Sequence, residues 1–423
     1  MSDVLQLSSL CNRVGVAVLT QPQLIYVLTE LTPGTAMSRA RMPLNFTLVL
    51  DHSGSMAGEK LRTMKEAVKN IVDQLNTDDV ISIVTFETKT KVLVPAQAAA
   101  DKEELKKQVD KIRDAGGTNL APGLMEGLKQ VSQMRSEDRV NRLVLLTDGE
   151  ATDNENDSRR LADQAGEKGI PFIALGFGKD WNEDFLFDLA DRSIMAQAGS
   201  RMGKADYIPK PQDADKIFQE VYQSMQVVAQ DVNITVRMVQ GLEARRVWQV
   251  VPLIKDVGRS VIQGRAIVIP VGQLEKTGAA YLAEIMLPPR PAGAVRIAQT
   301  DVTYNVPGQG DQRESVDLIL QYAQDSPLIN QLNGRVMNVV EKVQAFKLQT
   351  QALDEAEIGN VTGATQKLRQ AVTILLTQGE TELADQMNKE ADRLEKSGEI
   401  SSEGKKTIKL TSRKTVKLSD GEE

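Results

Sequence analysis

Histidine and cysteine are nearly missing from this chain: its 423 residues contain one of each, His52 and Cys11. A single cysteine excludes an internal disulfide, and a single histidine excludes zinc sites built on two or three imidazoles. A Ser-His-Asp triad would have to use His52. We expect Cys11 to be a small buried hydrophobic side chain, with a solvent-accessible redox thiol as the alternative.

Other absences narrow the class of protein further. The N-terminal segment 1–6 lacks the basic and apolar regions of a secretion signal, and no apolar run approaches the roughly 20 residues that span a bilayer. No Gly-x-x-x-x-Gly-Lys-Ser/Thr loop occurs, which excludes a P-loop ATPase. The net charge of −7 is mild and dispersed, which argues against nucleic acid as a partner. We therefore expect a cytoplasmic protein without a membrane span.

What is present is a change of periodicity along the chain. Residues 1–42 contain alternating, strand-like segments, whereas in 43–228 apolar runs alternate with helical patterns. The expected strands lie near 45–50, 80–86, 90–94, 141–147 and 170–176, and the expected helices at Glu59–Leu75, Asp101–Arg113 and Leu120–Met134. This alternation predicts a doubly wound, mostly parallel sheet with helices on both faces.

The regions that flank this α/β domain have different patterns. From 229 to 326 the helical periodicity disappears, and alternating segments separated by turn signals predict an antiparallel β-sandwich. Two or three N-terminal strands are not a stable sheet by themselves, so we expect residues 1–42 to complete the sandwich around an inserted α/β domain. Residues 327–398 predict a C-terminal helical unit of two or three helices, and residues 399–423 a basic tail.

Three separate segments contain the polar residues that indicate a possible metal site. An apolar run ends in Asp51 and is followed by Ser53 and Ser55; Thr118 comes later, and Asp148 follows a second apolar run. Parallel strands end at one edge of their sheet, so we expect Asp51 and Asp148 to lie at that edge. Hydroxyls and carboxylates are ligands of hard divalent cations. The alternative, a turn in which Asp51 caps a helix, does not account for Thr118 and Asp148.

These five positions, in this order and on this strand–helix pattern, resemble the metal-ion-dependent adhesion site of the von Willebrand factor type A (VWA) domain, over residues 43–228. The flanking β-strands and helical C-terminus resemble the stand-alone cytoplasmic VWA proteins of bacteria. The resemblance implies an interaction protein that acts as an adaptor or scaffold. It also implies partners such as a MoxR-type AAA+ ATPase, or a Ser/Thr kinase with a forkhead-associated protein, although no residue of this chain points to them.

The expected ligand set explains how such a site would bind an acidic partner. The hydroxyls of Ser53, Ser55 and Thr118 would contact Mg²⁺ directly, while Asp51 and Asp148 would hold its waters and orient the serines. A cation held by neutral groups keeps most of its charge, so an Asp or Glu carboxylate of a protein partner can replace a bound water. Mn²⁺ and Ca²⁺ are the alternatives to Mg²⁺.

The basic tail contains a short repeat. Lys406–Leu410 and Lys414–Leu418 each place a leucine three residues after a threonine, Thr407 or Thr415. Once phosphorylated, these threonines would resemble the ligands of forkhead-associated domains. The alternatives are an edge strand, a disordered end, or tail carboxylates that reach the cation of a neighbouring molecule.

These features support three functions. The leading hypothesis is a non-enzymatic, Mg²⁺-dependent protein-binding adaptor or scaffold. The second, compatible with the first, is a signalling component whose tail is phosphorylated on threonine and read by a forkhead-associated-type partner. The third and least favoured is a metal-assisted hydrolase, for which His52 or a loop carboxylate would have to be the general base. We expect the His52 side chain to point away from the ion instead.

Overall fold

In a computed structural model of the chain we describe residues 4–39, 41–149, 155–178, 181–194, 204–324, 327–411 and 413. The chain divides into two compact units: Ser38–Gln230 form one, and Met1–Met37 together with Asp231–Glu423 form the other. The first unit therefore begins five residues before, and ends two residues after, the expected range of 43–228.

The secondary structure follows the chain in this order. The strands are β1 (Leu5–Cys11), β2 (Gly15–Ala17), β3 (Gln23–Pro33), β4 (Leu44–Asp51), β5 (Val80–Phe86), β6 (Thr90–Ala98), β7 (Val140–Thr147), β8 (Phe172–Phe177), β9 (Lys204–Ile208), β10 (Val227–Met238), β11 (Glu243–Val251), β12 (Lys255–Gly258), β13 (Ile262–Gln263), β14 (Ala266–Glu275), β15 (Ala279–Leu287), β16 (Gly293–Val306) and β17 (Gly310–Ala323). The helices are α1 (Thr35–Arg39), α2 (Glu59–Gln74), α3 (Lys102–Asp110), α4 (Leu120–Gln133), α5 (Glu155–Glu167), α6 (Glu183–Arg192), α7 (Ala214–Ser224), α8 (Gly334–Glu357), α9 (Val361–Thr377), α10 (Thr381–Ser397) and α11 (Ser402–Thr411).

The inserted unit is a six-stranded sheet in the order β6-β5-β4-β7-β8-β9. All neighbouring strands are parallel except β6, which returns antiparallel along β5. Every residue of the central strand β4 is buried, because helices cover both faces of the sheet. Leu48 and Leu50 pack into the core formed with α2, α3 and α7, while Val49 faces the opposite helix, α4. The doubly wound, mostly parallel sheet is thus present, and it includes a strand, β9, that the sequence did not predict.

The remaining strands form the two sheets of a β-sandwich. One sheet has the order β1-β3-β15-β11-β12 and the other β13-β14-β10-β16-β17-β2. The N-terminal strands complete the sandwich as expected, because β3 pairs antiparallel with β15 from Gln23 to Leu31. One pairing departs from the antiparallel expectation: β2 runs parallel to β17.

The long helix α8 contributes to two separate hydrophobic cores. Its first half buries Val336, Val339, Val340 and Val343 against a sandwich cluster that includes Trp248. Its second half shares a separate core with α9, α10 and α11. None of the described helices is both long and apolar enough to cross a bilayer.

The expected basic tail from residue 399 is wrong in its first half. Residues 402–411 form α11, and the aliphatic side chains of Ile400 and Ile408 are buried in the helical core. The Lys-Thr-Ile-Lys-Leu alternation suggested a strand or a disordered end, but this segment lies in a helix in which Gly404, Lys406, Ile408 and Leu410 are buried. Thr407 is half-buried within α11, and Thr415 lies outside the described residues.

Candidate metal centre

Asp51 ends the central strand with its carboxylate inside the protein, 0% exposed. Oδ1 accepts a hydrogen bond from the Ser53 amide at 2.8 Å, and Oδ2 accepts one from Thr147 Oγ1 at 2.7 Å. Burial raises the pKa of Asp51; the bonds from Thr147 and Ser53 oppose this shift, and the charge of Asp148 adds to it. The fold therefore holds a fixed carboxylate whose negative charge the surrounding groups compensate incompletely.

Two serine hydroxyls connect Asp51 to the neighbouring strand. Ser53 is buried and Ser55 is exposed, and their Oγ atoms lie 3.1 Å apart. Ser55 Oγ donates to Asp148 Oδ1 at 2.7 Å. Asp148 directly follows β7, which pairs in parallel with β4. The two carboxylates thus lie at the same edge of the sheet, as expected, with the hydroxyls between them.

Thr118 reaches this edge on the loop between α3 and α4. The loop is joined to the serine segment by a hydrogen bond from the Gly54 amide to the Gly116 carbonyl, at 3.2 Å. Thr118 is 8% exposed, and its Oγ1 would lie 3.7 Å from a Cβ at Gly149, the residue after Asp148. The structure therefore brings all five residues singled out in the sequence to one place.

Two further polar side chains belong to the site, and the sequence analysis missed both. Thr147 holds Asp51, and Lys60 Nζ lies 2.5 Å from Asp148 Oδ2. The sequence could have pointed to Thr147, because it is a polar residue that ends an apolar strand next to Asp148. The sequence feature that points to Lys60 is weaker: this residue lies in the first turn of α2, the helix that follows the serine loop.

The His52 side chain is turned to a neighbouring loop. Its Nδ1 lies 2.7 Å from the Arg113 carbonyl oxygen, and its backbone amide donates to the Phe86 carbonyl at 3.0 Å. The imidazole therefore helps to position the loops around the site.

A model of the von Willebrand factor type A domain matches residues 45–201. The chain contains a VWA domain. A second model, the Sll0103-like C-terminal alpha-helical domain, matches residues 334–418.

Individual relatives show how far the similarity extends. The uncharacterized protein sll0103 of Synechocystis sp. is 36% identical over 186 residues, which are 44% of this chain and 42% of that protein. Inter-alpha-trypsin inhibitor heavy chain H3 of Mesocricetus auratus is 32% identical over 161 residues, 35% of this chain and 18% of that protein. These matches thus span less than half of either relative.

A solved structure shares the fold of nearly the whole chain. It is a von Willebrand factor type A protein from Catenulispora acidiphila, with a TM-score of 0.73, 19% sequence identity and 98% coverage of both chains. At this identity the likeness establishes the fold: a VWA domain, additional antiparallel sheets and a helical C-terminus.

The donor set of this VWA domain suits a hard divalent cation. Its hydroxyls, on Ser53, Ser55 and Thr118, converge at the sheet edge, and each carboxylate oxygen of Asp51 and Asp148 already accepts one hydrogen bond. A carboxylate oxygen has a second lone pair and can still accept from a metal-bound water. Among the described residues, no group of three or more His, Cys, Asp and Glu side chains forms a metal site. The donors at this edge of the sheet are thus two carboxylates and neutral hydroxyls.

Proposed function

We propose that the VWA domain binds a divalent cation, Mg²⁺ in the cell, and uses it to capture an Asp or Glu side chain of a protein partner. The observation that supports this most directly is the placement of the Ser53 and Ser55 hydroxyls between the buried carboxylates of Asp51 and Asp148, with Thr118 at the same edge of the sheet. Ser53, Ser55 and Thr118 would hold the ion, and Asp51 and Asp148 would accept from its waters.

The same ligand set explains why the partner should be acidic. Three neutral hydroxyls leave the charge of a divalent cation largely uncompensated, and the exposed position of Ser55 leaves one side of the site open to solvent. A carboxylate that replaces a bound water there supplies the missing negative charge. The role proposed is that of an adaptor or scaffold, with a MoxR-type AAA+ ATPase or a kinase and forkhead-associated pair as candidate partners.

Two observations favour this role over the other functions considered. His52 Nδ1 lies 2.7 Å from the Arg113 carbonyl oxygen of a neighbouring loop, which favours a positioning role for this ring over that of a general base in a hydrolase. Thr407 lies half-buried in α11 between buried Lys406 and Ile408, so its phosphorylation and recognition would require that helix to open. We therefore propose a binding protein without catalytic activity.

Metal binding is tested by calorimetry with Mg²⁺ and Mn²⁺. We expect Thr118→Ala to weaken binding at least about tenfold, because a direct ligand is lost, and Thr118→Ser to retain most of it. Thr63→Ala is the matched control, since Thr63 Oγ1 bonds to the Glu59 carbonyl of its own helix, at 2.9 Å. Equal affinities for wild type and Thr118→Ala would contradict the proposed ligand set.

Partner capture is tested separately. Wild-type protein and Asp51→Ala are used as bait in native cell extract, with Mg²⁺ or with a chelator. We expect proteins retained by wild type with Mg²⁺ to be lost under both other conditions, and free acetate or an Asp-containing peptide to compete for the site. Retention that is the same with and without chelator would argue against cation-dependent capture.

A further inference from the structure

The ion pair between Lys60 and Asp148 places a positive charge of the protein itself in the candidate metal centre. Lys60 Nζ lies 2.5 Å from Asp148 Oδ2, the carboxylate oxygen that Ser55 does not use. The aliphatic end of Lys60 passes the turn after β8, where a Cβ at Gly178 would lie 3.5 Å from both Cε and Nζ. The ammonium group therefore stands at the same edge of the sheet as the hydroxyls.

This ion pair differs from ordinary surface pairs in the burial of its acidic member. The Asp148 side chain is 0% exposed and that of Lys60 is 26% exposed. A buried carboxylate without a counter-charge is costly, so Lys60 stabilises the site when no metal is bound. Together with Asp51, the site contains two buried carboxylates and one ammonium group.

A divalent cation would compete with this ammonium group in two ways. Both positive charges would lie near Asp148 and repel each other. A metal-bound water that donates to Asp148 would also have to share Oδ2 with Lys60 or displace it. Removal of the ammonium charge would leave the carboxylates more negative and the site more attractive to a cation.

We propose that Lys60 is a resident cation that neutralises Asp148 in the metal-free protein and sets the affinity of the site for divalent metal. The inference rests on the proposed cation site. It makes Lys60 the residue that determines the concentration of metal at which the VWA domain becomes able to bind its acidic partner.

The test compares Lys60→Met, which keeps the apolar stem, with Lys69→Met, in calorimetric titrations with Mg²⁺ and Mn²⁺. Lys69 lies on the same helix and pairs with Asp110 at 2.6 Å, so its loss changes the net charge equally without touching Asp148. We expect Lys60→Met to bind metal about fivefold more tightly or better, a change that corresponds to about 1 kcal/mol. Lys69→Met and Lys60→Arg should bind like wild type.

Thermal unfolding provides a second readout. In chelator, Lys60→Met should melt at a lower temperature than Lys69→Met, because Asp148 loses its counter-charge, and saturating Mg²⁺ should restore more of its stability than it does for wild type. Unchanged or weaker metal affinity in Lys60→Met, with wild type binding normally, would overturn the role of Lys60 and leave the metal site intact. If neither protein binds Mg²⁺ or Mn²⁺, the proposed metal site is itself wrong and this inference is overturned with it.

Discussion

Asp51 keeps its place because two donors hold opposite oxygens of its buried carboxylate: the Ser53 amide and the Thr147 hydroxyl. The hydrogen bond from the Ser53 amide is fixed by the backbone of the turn, whereas the hydrogen bond from the Thr147 hydroxyl depends on one side chain. A hydrogen bond to a buried charged group contributes more to stability than one between neutral groups. The hydrogen bond from Thr147 can therefore be removed by substitution of one side chain, and its contribution to the stability of the site can be measured.

Thr147→Val should lower the free energy of unfolding by about 1–3 kcal/mol in chelator, because Asp51 Oδ2 loses its donor without a change of side-chain shape. Urea unfolding at neutral pH measures this. Thr90→Val is the control: Thr90 Oγ1 is buried and has no hydrogen-bond partner among the described residues, so its replacement should be neutral or stabilising. Equal losses in the two variants would show that Thr147 Oγ1 contributes nothing specific.

Cys11 provides a prediction about reactivity. Its side chain is buried, and burial raises the pKa of the thiol from 9.0 to about 11. Because the raised pKa favours the neutral thiol, the thiolate fraction at neutral pH is about a hundredfold lower than at a pKa of 9.0. Folded protein should react slowly with Ellman's reagent, faster as the pH rises towards 11, and rapidly once unfolded in urea. Rapid labelling of the folded protein at neutral pH would contradict the expected burial.

The site residues that the sequence revealed are those with a local pattern. Asp51, Ser53 and Ser55 follow one another on a loop, and Asp148 follows an apolar strand. Lys60 has no such pattern, because its partner is 88 positions away and only the packing of α2 at the sheet edge brings the two together. Side-chain contacts across a sheet edge depend on the three-dimensional path of the chain, which periodicity does not specify.

Among the secondary-structure elements, those with both faces buried were the easiest to predict. β4 lies in the middle of the sheet and reads as a continuous apolar run, so its limits were nearly correct: 45–50 expected, Leu44–Asp51 observed. α11 was missed because its alternating lysines and aliphatic residues have the period of a strand. It folds as a helix because the helical core buries Ile408, and tertiary packing outweighs a local pattern of this kind.

The packing of α11 gives a prediction at the same scale. Ile408→Ala should destabilise the helical core by about 2–4 kcal/mol, because it opens a cavity where the side chain is 1% exposed. Ile358→Ala is the control: this residue directly follows α8 and is 80% exposed, so the change should be within about 0.5 kcal/mol. Hydrogen exchange of the α11 amides measures the effect locally. No difference between the variants would mean that α11 is not held by this contact.

For the whole molecule, the order of patterns along the chain was sufficient to predict an inserted domain. Strand-like segments at both ends of an α/β region need partners, and the N-terminal strands find theirs in β15 and its neighbours. The position of the insertion follows from that pairing. The parallel pairing of β2 with β17 had no signal in the sequence, since a three-residue strand has too few positions to show alternation.

The inserted unit has the structural properties of an independent domain. It has a large core of its own, formed by one face of its sheet with α2, α3 and α7. Its two ends lie side by side, because the Met42 amide donates to the Val227 carbonyl at 3.3 Å. All five candidate metal-site residues and Lys60 lie within residues 38–230. Domains with adjacent termini and a separate core commonly fold when excised.

Residues 38–230 expressed alone should therefore unfold cooperatively in urea and bind Mg²⁺ with an affinity within about twofold of the full chain. Calorimetry of the two proteins side by side measures this, with Thr118→Ala in the excised unit as the control for a specific site. An excised unit that folds but binds more than tenfold more weakly would show that the sandwich or the helices contribute to the metal centre. An excised unit that does not fold would show that the flanking strands stabilise the sheet, so the insertion would be a structural part of the sandwich rather than an independent domain.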